Sequence, residues 1–431
     1  MLPDEFPAFL KSFTSPPPVS VRLNPLKHAT LKGNAVPWCT RGIYLNARPR
    51  FTLDPLFHAG AYYVQEASSM FLEHLVLQLR LHQQPIRILD AAAAPGGKST
   101  HLLSLIHPES LLVANETIRS RLPALTENLT RWGYPNVVIT CNDPQHFGAL
   151  KGYFDVIVLD APCSGEGLFR KDASAVRQWS QEHVKLCALR QQRILQNLWP
   201  VLRPGGLLIY STCTYNAHEN EEVLLKLVKS KEASFAEVEI PPDWGILHSR
   251  EPVSGYRFFP HRVWGEGFFV SVLRKTAEEP VQTVRAKPEN VSPDVLQTLR
   301  SFLAAPVEMG YLRFSDQVAA LPASLMQDAA WLMQKLNVVS AGTAMAKVAR
   351  NRITPLHPLA MSVYLNRNTF PETPLDLGEA IRFLRKESIK VEGPFGYCLM
   401  KYQNVPLGWV NIVPGRANNL YPSGWRIRLM D

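Results

Sequence analysis

Two of the six cysteines of this 431-residue chain stand where a reactive side chain is expected in an α/β protein. Cys163 follows the apolar run 154–159 closely, and Cys213 follows the run 206–210. Small and polar residues surround both thiols, so the common role of a lone cysteine as a small buried hydrophobe fits them poorly. We assign that common role to the other four, Cys39, Cys141, Cys187 and Cys398.

A segment of small residues between a predicted strand and a predicted helix indicates a second kind of site. After the strand 86–89 and Asp90-Ala91, it consists of Ala92, Ala93, Ala94, Pro95, Gly96, Gly97 and Lys98. Small residues let a ligand approach the backbone, and the first amides of the helix face an anionic group. Glu116 follows the strand 111–114, about 20 residues past the glycines, where a carboxylate can take both hydroxyls of a ribose. Asp143 follows the strand 136–140, where an adenine would lie.

The same segment has an alternative interpretation as a phosphate-binding P-loop. Gly97-Lys98-Ser99 resembles the end of that loop, and residues 154–160 resemble its magnesium-binding strand. The loop needs a glycine five residues before Gly97 to turn tightly around phosphate, and Ala92 stands there. We therefore favour a methionine-linked nucleoside held by its ribose over ATP. A nucleotide-binding ATPase and a plain structural turn stay open as alternatives.

Two thiols beside a methyl donor suit one chemistry in particular. Addition of a thiolate to carbon 6 of cytosine turns the ring into an enamine, whose carbon 5 can attack a sulfonium methyl group. An acid near the ring nitrogen neutralises the developing charge. A second thiol can then assist removal of the carbon-5 proton and elimination of the first thiolate.

The elements that must position these residues alternate in type. Five runs with strand character (86–89, 111–114, 136–140, 154–159 and 206–210) alternate with helical patterns, which predicts a parallel sheet wound on both faces. The carboxyl ends of such strands share one edge, so Cys163 and Cys213 should face one pocket beside Asp160. Asn216 as N-cap, with Glu219 three residues later, predicts a helix after the fifth strand. Further strands near 267–273 should be antiparallel.

Composition divides the chain into five parts. We expect an N-terminal domain of RNA-binding type (1–80), a Rossmann-like domain (81–275), a charged, proline-containing linker (276–293), a helical intermediate domain (294–352) and a β-rich domain (353–431).

Charge and cysteine use narrow the class of protein. The formal net charge of +9 favours a polyanionic partner, with candidate phosphate contacts at both ends of the chain: Arg22, Lys27, Arg416, Arg426 and Arg428. The cysteines lack CxxC spacing, which gives little support to zinc or a disulfide framework, so we predict no metal. Since there is neither an apolar run of bilayer length nor a signal-peptide pattern, we predict a cytoplasmic protein.

At these motifs the chain resembles the Nop/Sun-type RNA cytosine-5 methyltransferases. The resemblance rests on 93–98, on Asp160-Ala161-Pro162-Cys163-Ser164-Gly165-Glu166-Gly167, and on Tyr210-Ser211-Thr212-Cys213-Thr214 with Glu219-Asn220-Glu221. It implies a Rossmann-like doubly wound class I methyltransferase sheet and S-adenosyl-L-methionine as cofactor. It also implies that Cys213 is the nucleophile and that Cys163 helps to release the product.

The resemblance implies the remaining site residues as well. Ala92 to Lys98, Glu116, Asp143 and Asp160 match the cofactor residues of the family, and Asp160 would also bond the polar edge of the cytosine. Lys98 is counted with the catalytic residues. The family more often has Asp at position 116, and the longer Glu116 can still reach a ribose diol.

The C-terminal part is similar to the extension of the bacterial ribosomal-RNA members, which ends in a PUA-like domain. Gly396-Tyr397, 406–409 and 418–422 carry this looser match. We therefore expect RNA as the partner, with 16S ribosomal RNA as substrate and large-subunit RNA or tRNA as alternatives, and a monomeric enzyme whose extension helps to bind RNA.

Overall fold

The computed structural model describes residues 3–230, 232–277, 281–289, 291–349 and 352–428. Residues 278–280 and 290 of the predicted linker lie outside this part of the chain.

The N-terminal part forms a small antiparallel sheet with short helices. Its strands pair in the order β2-β3-β1-β4. The elements are α1 (Phe6–Ser12), β1 (Val19–Leu23), β2 (Asn34–Val36), β3 (Cys39–Leu45), α2 (Pro55–His58), β4 (Tyr62–Val64) and α3 (Leu72–Gln78).

The central part is the α/β unit that the alternating pattern predicts. Its elements are β5 (Arg87–Asp90), α4 (Gly97–Leu105), β6 (Leu111–Asn115), α5 (Leu122–Trp132), β7 (Val137–Thr140), β8 (Phe154–Asp160), α6 (Ala173–Gln178), α7 (Gln181–Leu198), β9 (Leu202–Thr212), α8 (Glu221–Lys229), β10 (Ala233–Phe235), β11 (Leu247–Ser249), β12 (Gly255–Phe258) and β13 (Phe268–Lys275).

The five predicted parallel strands are confirmed as β5 to β9. They pair in the order β9-β8-β5-β6-β7, and β13 adds to β9 in antiparallel fashion, also as predicted. Every residue of β6 and β7 is buried, because helices cover both faces of a doubly wound sheet and leave continuous apolar runs as the favourable strand sequence. The hydrophobic clusters on the two faces form the core of this part.

The intermediate part differs from the helical domain that we predicted. Its elements are α9 (Pro293–Ser301), β14 (Met309–Phe314), β15 (Gln317–Pro322), α10 (Met326–Lys335), β16 (Val338–Ala341), β17 (Thr343–Ala349) and β18 (Arg352–Pro355). Four of the strands form a sheet in the order β14-β15-β17-β18. The prediction was wrong because residues such as Ala319 and Leu321 also favour helices, and pairing with β14 and β17 holds them in a strand.

The C-terminal part is β-rich, as predicted. It contains α11 (His357–Met361), β19 (Glu372–Pro374), α12 (Leu377–Leu384), β20 (Gly396–Tyr402), β21 (Val405–Val413) and β22 (Arg416–Asn419), with the strands in the order β19-β20-β21-β22. One hydrophobic cluster joins Phe383 and Leu407 of this part to Leu56 and Tyr62 of the N-terminal part. The two ends of the chain therefore share a core.

The extension, by which we mean the residues after 275, also completes the central sheet. Strand β16 pairs with β7 at its edge, and Trp331 of α10 belongs to one of the two core clusters of the sheet. Asp328 accepts a hydrogen bond from Tyr153 at 2.6 Å and lies 2.7 Å from Arg87 Nε. Residues after 275 therefore cover apolar surface of the central part. None of the helices in the described ranges is long and apolar enough to cross a membrane.

Two predicted phosphate contacts are buried instead. Arg22 is 1% exposed, donates to Gln65 Oε1 at 2.8 Å and to Thr100 Oγ1 at 2.7 Å, and lies over the ring of Trp132. Lys27 donates to the carbonyls of Ala59 and Arg131, and burial lowers its pKa to about 7. Both residues hold the N-terminal part onto the central part and are not available to RNA. Arg416, Arg426 and Arg428 are exposed and stay predictions.

Candidate active site

The predicted site residues gather at the carboxyl edge of the parallel strands. Asp90, Asp160 and Thr212 end β5, β8 and β9, which are adjacent in the sheet. The loops that follow β8 and β9 carry Cys163 and Cys213, and these two strands pair in parallel from Phe154 to Asp160. Because parallel neighbours end at the same edge, their loops meet there.

The two thiols are in contact. Cys163 Sγ lies 3.1 Å from Cys213 Sγ, and the backbone N–H of Cys213 donates to Cys163 Sγ at 3.3 Å. Both side chains are half-buried, and all six cysteines of the chain are free. The hydrogen bond with Cys213, together with burial, raises the pKa of Cys163 well above its usual range. The Cys163 thiol therefore keeps its proton and can donate it towards Cys213.

A buried carboxylate ties the two cysteine loops together. Glu219 is fully buried; it accepts from the backbone N–H of Ser164 at 2.8 Å, from Asn216 Nδ2 at 2.8 Å and from Gln191 Nε2 at 3.1 Å, and also from the Ser164 hydroxyl. Ser164 follows Cys163, whereas Asn216 and Glu219 follow Cys213. The carboxylate thus sets the distance between the loops.

This use of Glu219 corrects the predicted helix start. Helix α8 begins at Glu221, and Asn216 does not cap it. Asn216 and Glu219 do exchange hydrogen bonds, with the N–H of Glu219 donating to Asn216 Oδ1 at 2.9 Å. The capping pattern closes a turn before the helix because the Glu219 carboxylate also binds the loop after β8.

Gly167 allows that loop to dock directly on Cys213. Its N–H donates to the Cys213 carbonyl at 2.8 Å. A Cβ at this position would lie 2.4 Å from the carbonyl oxygen of Gly267 and 3.0 Å from that of Cys213. Only glycine fits between these two backbone segments.

Asp160 is held in place by two polar neighbours. Lys98 Nζ lies 2.8 Å from Asp160 Oδ2, and Ser211 Oγ donates to Asp160 Oδ1 at 2.9 Å. Lys98 also lies over the ring of Phe268, 5.2 Å from its centroid. The Asp160 side chain remains 42% exposed, so it can still accept a hydrogen bond from a ligand.

Two cavities meet at Asp160 and Cys213. The inner cavity, of about 520 Å³, is lined by Glu116, Asp143 and Cys163, among others. The outer cavity, of about 450 Å³, is lined by Tyr63, Lys98 and Phe268, among others. Both volumes are typical of small-molecule sites. The residues common to both cavities are Ala92, Ala94, Arg121, Asp160, Leu168 and Cys213.

The inner cavity has a carboxylate oxygen without a hydrogen bond where the ribose is predicted. Glu116 Oε1 accepts from the backbone N–H of Ile118 at 2.8 Å. Its Oε2 is buried without a hydrogen bond, although Arg121 Nη1 lies 3.2 Å away. This oxygen can accept from a sugar hydroxyl, so the residues present fit a nucleoside cofactor. Asp143 lines the same cavity, with Arg193 3.4 Å from its Oδ2.

Most of the small-residue segment lies along the walls of the two cavities. Ala92 and Ala94 line both cavities, and Ala93, Pro95, Gly97 and Lys98 line the outer one. Gly96 lines neither; it precedes α4 with a φ of +112°, a conformation that glycine adopts without strain.

Two further residues of the site were missed by the sequence analysis. Asp90 is fully buried in the wall of the outer cavity, with Ser99 Oγ donating to its Oδ2 at 2.6 Å and its Oδ1 without a partner. Burial raises the pKa of Asp90 to about 6. Its position at the last residue of the first parallel strand was the available signal. Arg121, which donates to the Ala94 carbonyl, gave no comparable signal.

Away from the edge, Cys39, Glu73 and His101 form a buried cluster whose potential ligand atoms lie within 4.8 Å of one another. The Cys39 thiol donates to Glu73 Oε2 at 3.1 Å, and His101 Nε2 lies 3.2 Å from the same oxygen. Burial raises the pKa of Cys39 to about 12 and lowers that of His101 to about 4. Hydrogen bonds between two neutral groups and one carboxylate account for this cluster, and we assign no metal to it.

Comparison with known proteins places the chain in a family. A family model described as 16S rRNA methyltransferase RsmB/F matches residues 75–274. The ribosomal RNA small subunit methyltransferase F of Enterobacter sp. (strain 638) is 32% identical over 449 residues, which covers 97% of this chain and 91% of that relative. The chain belongs to the 16S rRNA methyltransferase RsmB/F family.

Other matches cover the two ends of this RsmB/F family member. Models of the N-terminal domain and the PUA domain of methyltransferase RsmF match residues 1–67 and 370–427. The methyltransferase F of Erwinia tasmaniensis is 38% identical over 298 residues, 64% of this chain and 61% of that relative. That alignment thus spans less than two thirds of the relative's length.

Solved structures agree with the RsmB/F fold. A methyltransferase homolog protein from Pyrococcus horikoshii aligns with a TM-score of 0.54 and 29% identity, over 63% of this chain and 91% of its own. NSun6 from the same organism, solved with SFG, aligns with a TM-score of 0.53 and 22% identity, over 64% and 95% of the two chains; this match shows the fold alone.

These matches confirm the resemblance and the predicted fold class, including the PUA domain. Methyltransferases of the RsmB/F family depend on S-adenosylmethionine, in agreement with the predicted cofactor.

Proposed function

We propose that the protein transfers a methyl group from S-adenosylmethionine to carbon 5 of a cytosine in 16S ribosomal RNA. The observation that carries this proposal is the pair of free thiols, 3.1 Å apart, of which Cys163 lines the inner cavity and Cys213 lines both cavities. A methyl donor in the inner cavity and a base in the outer cavity would meet beside Cys213. Family membership and the PUA domain support ribosomal RNA as the substrate, and we expect the enzyme to act in the cytoplasm.

Cys213 starts the reaction in this proposal. Its thiol releases a proton to water, and the thiolate adds to carbon 6 of the cytosine. The electrons of the carbon 5–carbon 6 double bond move towards the ring nitrogen, which takes up a proton from water. Asp160, oriented by Lys98 and Ser211, binds the polar edge of the base, where the charge develops. S-adenosylmethionine supplies the electrophilic methyl group that carbon 5 then takes up.

Cys163 completes the reaction. Once Cys213 Sγ is bonded to carbon 6, the hydrogen bond that raises the Cys163 pKa is lost. The Cys163 thiol can then release its proton to water, and the resulting thiolate accepts the proton of carbon 5. The electrons of that carbon–hydrogen bond restore the ring double bond as the bond between carbon 6 and Cys213 breaks.

The contacts of the small-residue segment argue against the ATPase alternative. In a P-loop the lysine and the following hydroxyl bind phosphate and magnesium. Here Lys98 pairs with Asp160, and Ser99 donates to the buried Asp90. Ala92 stands at the position that needs glycine.

The test compares single cysteine variants on 16S ribosomal RNA from a strain that lacks the gene. Cys213→Ala should abolish methylation, measured by bisulfite sequencing. Cys163→Ala should accumulate a covalent enzyme–RNA adduct that survives denaturing electrophoresis. Cys141→Ala, which changes a cysteine that lines neither cavity, should behave as wild type. Adducts with Cys213→Ala and none with Cys163→Ala would reverse the two roles. Methylation of tRNA or large-subunit RNA alone would refute 16S ribosomal RNA as the substrate.

A further inference from the structure

A groove in the N-terminal part combines positive charge with aromatic surface. It has a volume of about 780 Å³, and we call it the arginine groove after the residues that define it: Arg48, Arg50, Phe51, Phe57, Tyr63 and Asn128. Arg48 and Arg50 are exposed, and the Arg48 guanidinium lies 5.6 Å from the centroid of the Phe51 ring. This mixture of arginine, aromatic rings and an amide is typical of surfaces that bind unstacked nucleotides.

The positive charge of the groove has no carboxylate partner among the described residues. No Asp or Glu of the described residues lines it. Arg170 forms a buried contact with Glu266 at 3.0 Å, whereas the described part of the chain offers no carboxylate within ion-pair distance of Arg48 or Arg50. An exposed, unpaired arginine pair beside an apolar groove fits an anionic ligand with flat rings.

The groove continues the outer cavity. Tyr63, Val64 and Pro95 line both, and Asn128 Nδ2 donates to the Pro95 carbonyl at 2.8 Å, which holds this shared rim in place. A base whose carbon 6 contacts Cys213 would occupy the outer cavity. The sugar–phosphate backbone on one side of that base can then pass over Pro95 into the groove.

We propose that the arginine groove binds the unstacked nucleotide next to the target cytidine, with Arg48 and Arg50 on its phosphates and the aromatic rings against its base. The inference rests on the proposed function, because it takes the outer cavity as the site of the target base. A base must leave its stack to be attacked at carbon 6. Binding the neighbour as well would hold the strand in that unstacked form.

The first experiment compares the Arg48→Ala/Arg50→Ala double variant with wild type on undermethylated 16S ribosomal RNA. The KM for RNA should rise about 10-fold, with kcat and the affinity for S-adenosylmethionine little changed. The plot of log KM against log salt should become shallower by about 1.4, since each single-strand phosphate contact contributes about 0.7. Arg313→Ala removes an exposed arginine that lines none of these cavities and should leave both quantities unchanged.

The second experiment does not depend on turnover. Two short single-stranded RNA probes carry 4-thiouridine next to a cytidine, one on its 5′ side and the other on its 3′ side. After photo-crosslinking to the full chain, one of the two probes should be crosslinked to residues 48–57. The same probe should lose that crosslink in the double variant. Equal KM and salt dependence in variant and wild type, or crosslinks outside the groove for both probes, would overturn the proposed binding of the neighbouring nucleotide in the groove. A wild-type protein that crosslinks at 48–57 but methylates no RNA would instead refute the proposed function.

Discussion

Replacing Glu219 by Gln tests whether the buried carboxylate holds the two cysteine loops together. Glu219 presents two acceptor oxygens to four donors: the Ser164 N–H, the Ser164 hydroxyl, Gln191 Nε2 and Asn216 Nδ2. Glutamine keeps the size of the side chain but replaces one oxygen by an NH₂ group. The better orientation places this NH₂ group where Glu219 Oε1 accepts from Ser164 Oγ and Asn216 Nδ2. The Ser164 hydroxyl can then rotate and accept a hydrogen bond from the NH₂ group. Asn216 Nδ2 cannot, because it is itself a donor, and it loses its acceptor.

The magnitude follows from these contacts. Leaving one buried N–H unpaired costs about 1–3 kcal/mol, and the remaining hydrogen bonds weaken when the acceptor loses its charge. We therefore expect Glu219→Gln to lower the free energy of unfolding by about 2–4 kcal/mol. A shift of the Ser164 loop also moves Cys163, and a displacement of about 1 Å at a reacting group can lower the rate about 100-fold.

The assay combines urea denaturation with single-turnover methylation of 16S ribosomal RNA. Glu222→Gln is the matched control, because Glu222 is 53% exposed, follows in the same segment and pairs only with the exposed His218 among the described residues. This control should stay within about 0.5 kcal/mol of wild type. If Glu219→Gln matches Glu222→Gln in both stability and rate, the positioning role of the carboxylate is refuted.

Three other predictions concern the cofactor, pH and the extension. Glu116→Ala should weaken S-adenosylmethionine binding by about 1–3 kcal/mol in calorimetry, because a ribose hydroxyl loses a charged acceptor; an unchanged Kd would remove Glu116 from the cofactor site. Burial raises the pKa of Asp90 to about 6, so its contribution to stability is present below its unfolded pKa of about 3.9 and is lost as the pH rises through about 6. Asp90→Asn should therefore gain up to about 3 kcal/mol relative to wild type between about pH 4 and pH 7 in urea titrations, and parallel pH profiles would contradict this. Truncation after Lys275 removes β16 from the edge of β7 and Trp331 from the core, so the truncated protein should aggregate in size-exclusion chromatography; a monodisperse product would show that the extension is separable.

The parallel strands and their loops could be predicted from local pattern. Buried strands such as β6 and β7 have short apolar sequences because helices cover both faces of the sheet. The order of strands in a doubly wound sheet then brings Asp160, Cys163 and Cys213 to one edge. Glu116 could be placed for the same reason, since it directly follows β6.

The partners of buried polar groups could not be predicted in this way. Arg22 and Lys27 read as surface cations, yet they are buried against the central part. Glu219 read as part of a helix cap, yet its carboxylate binds the loop of Cys163. In each case the partner lies tens of residues away in the chain, and no local pattern contains it.

The amino-acid sequence by itself therefore determined the class of fold, the strand ends that carry the two cysteines and the segment expected to bind the cofactor, because strand periodicity and turn residues are local properties. Only the tertiary structure decided that residues 309–322 form a hairpin, that β16 completes the central sheet and that the two ends of the chain share a core. These features depend on which surfaces remain to be covered once the central sheet has formed, and burial of apolar area between distant segments decides that.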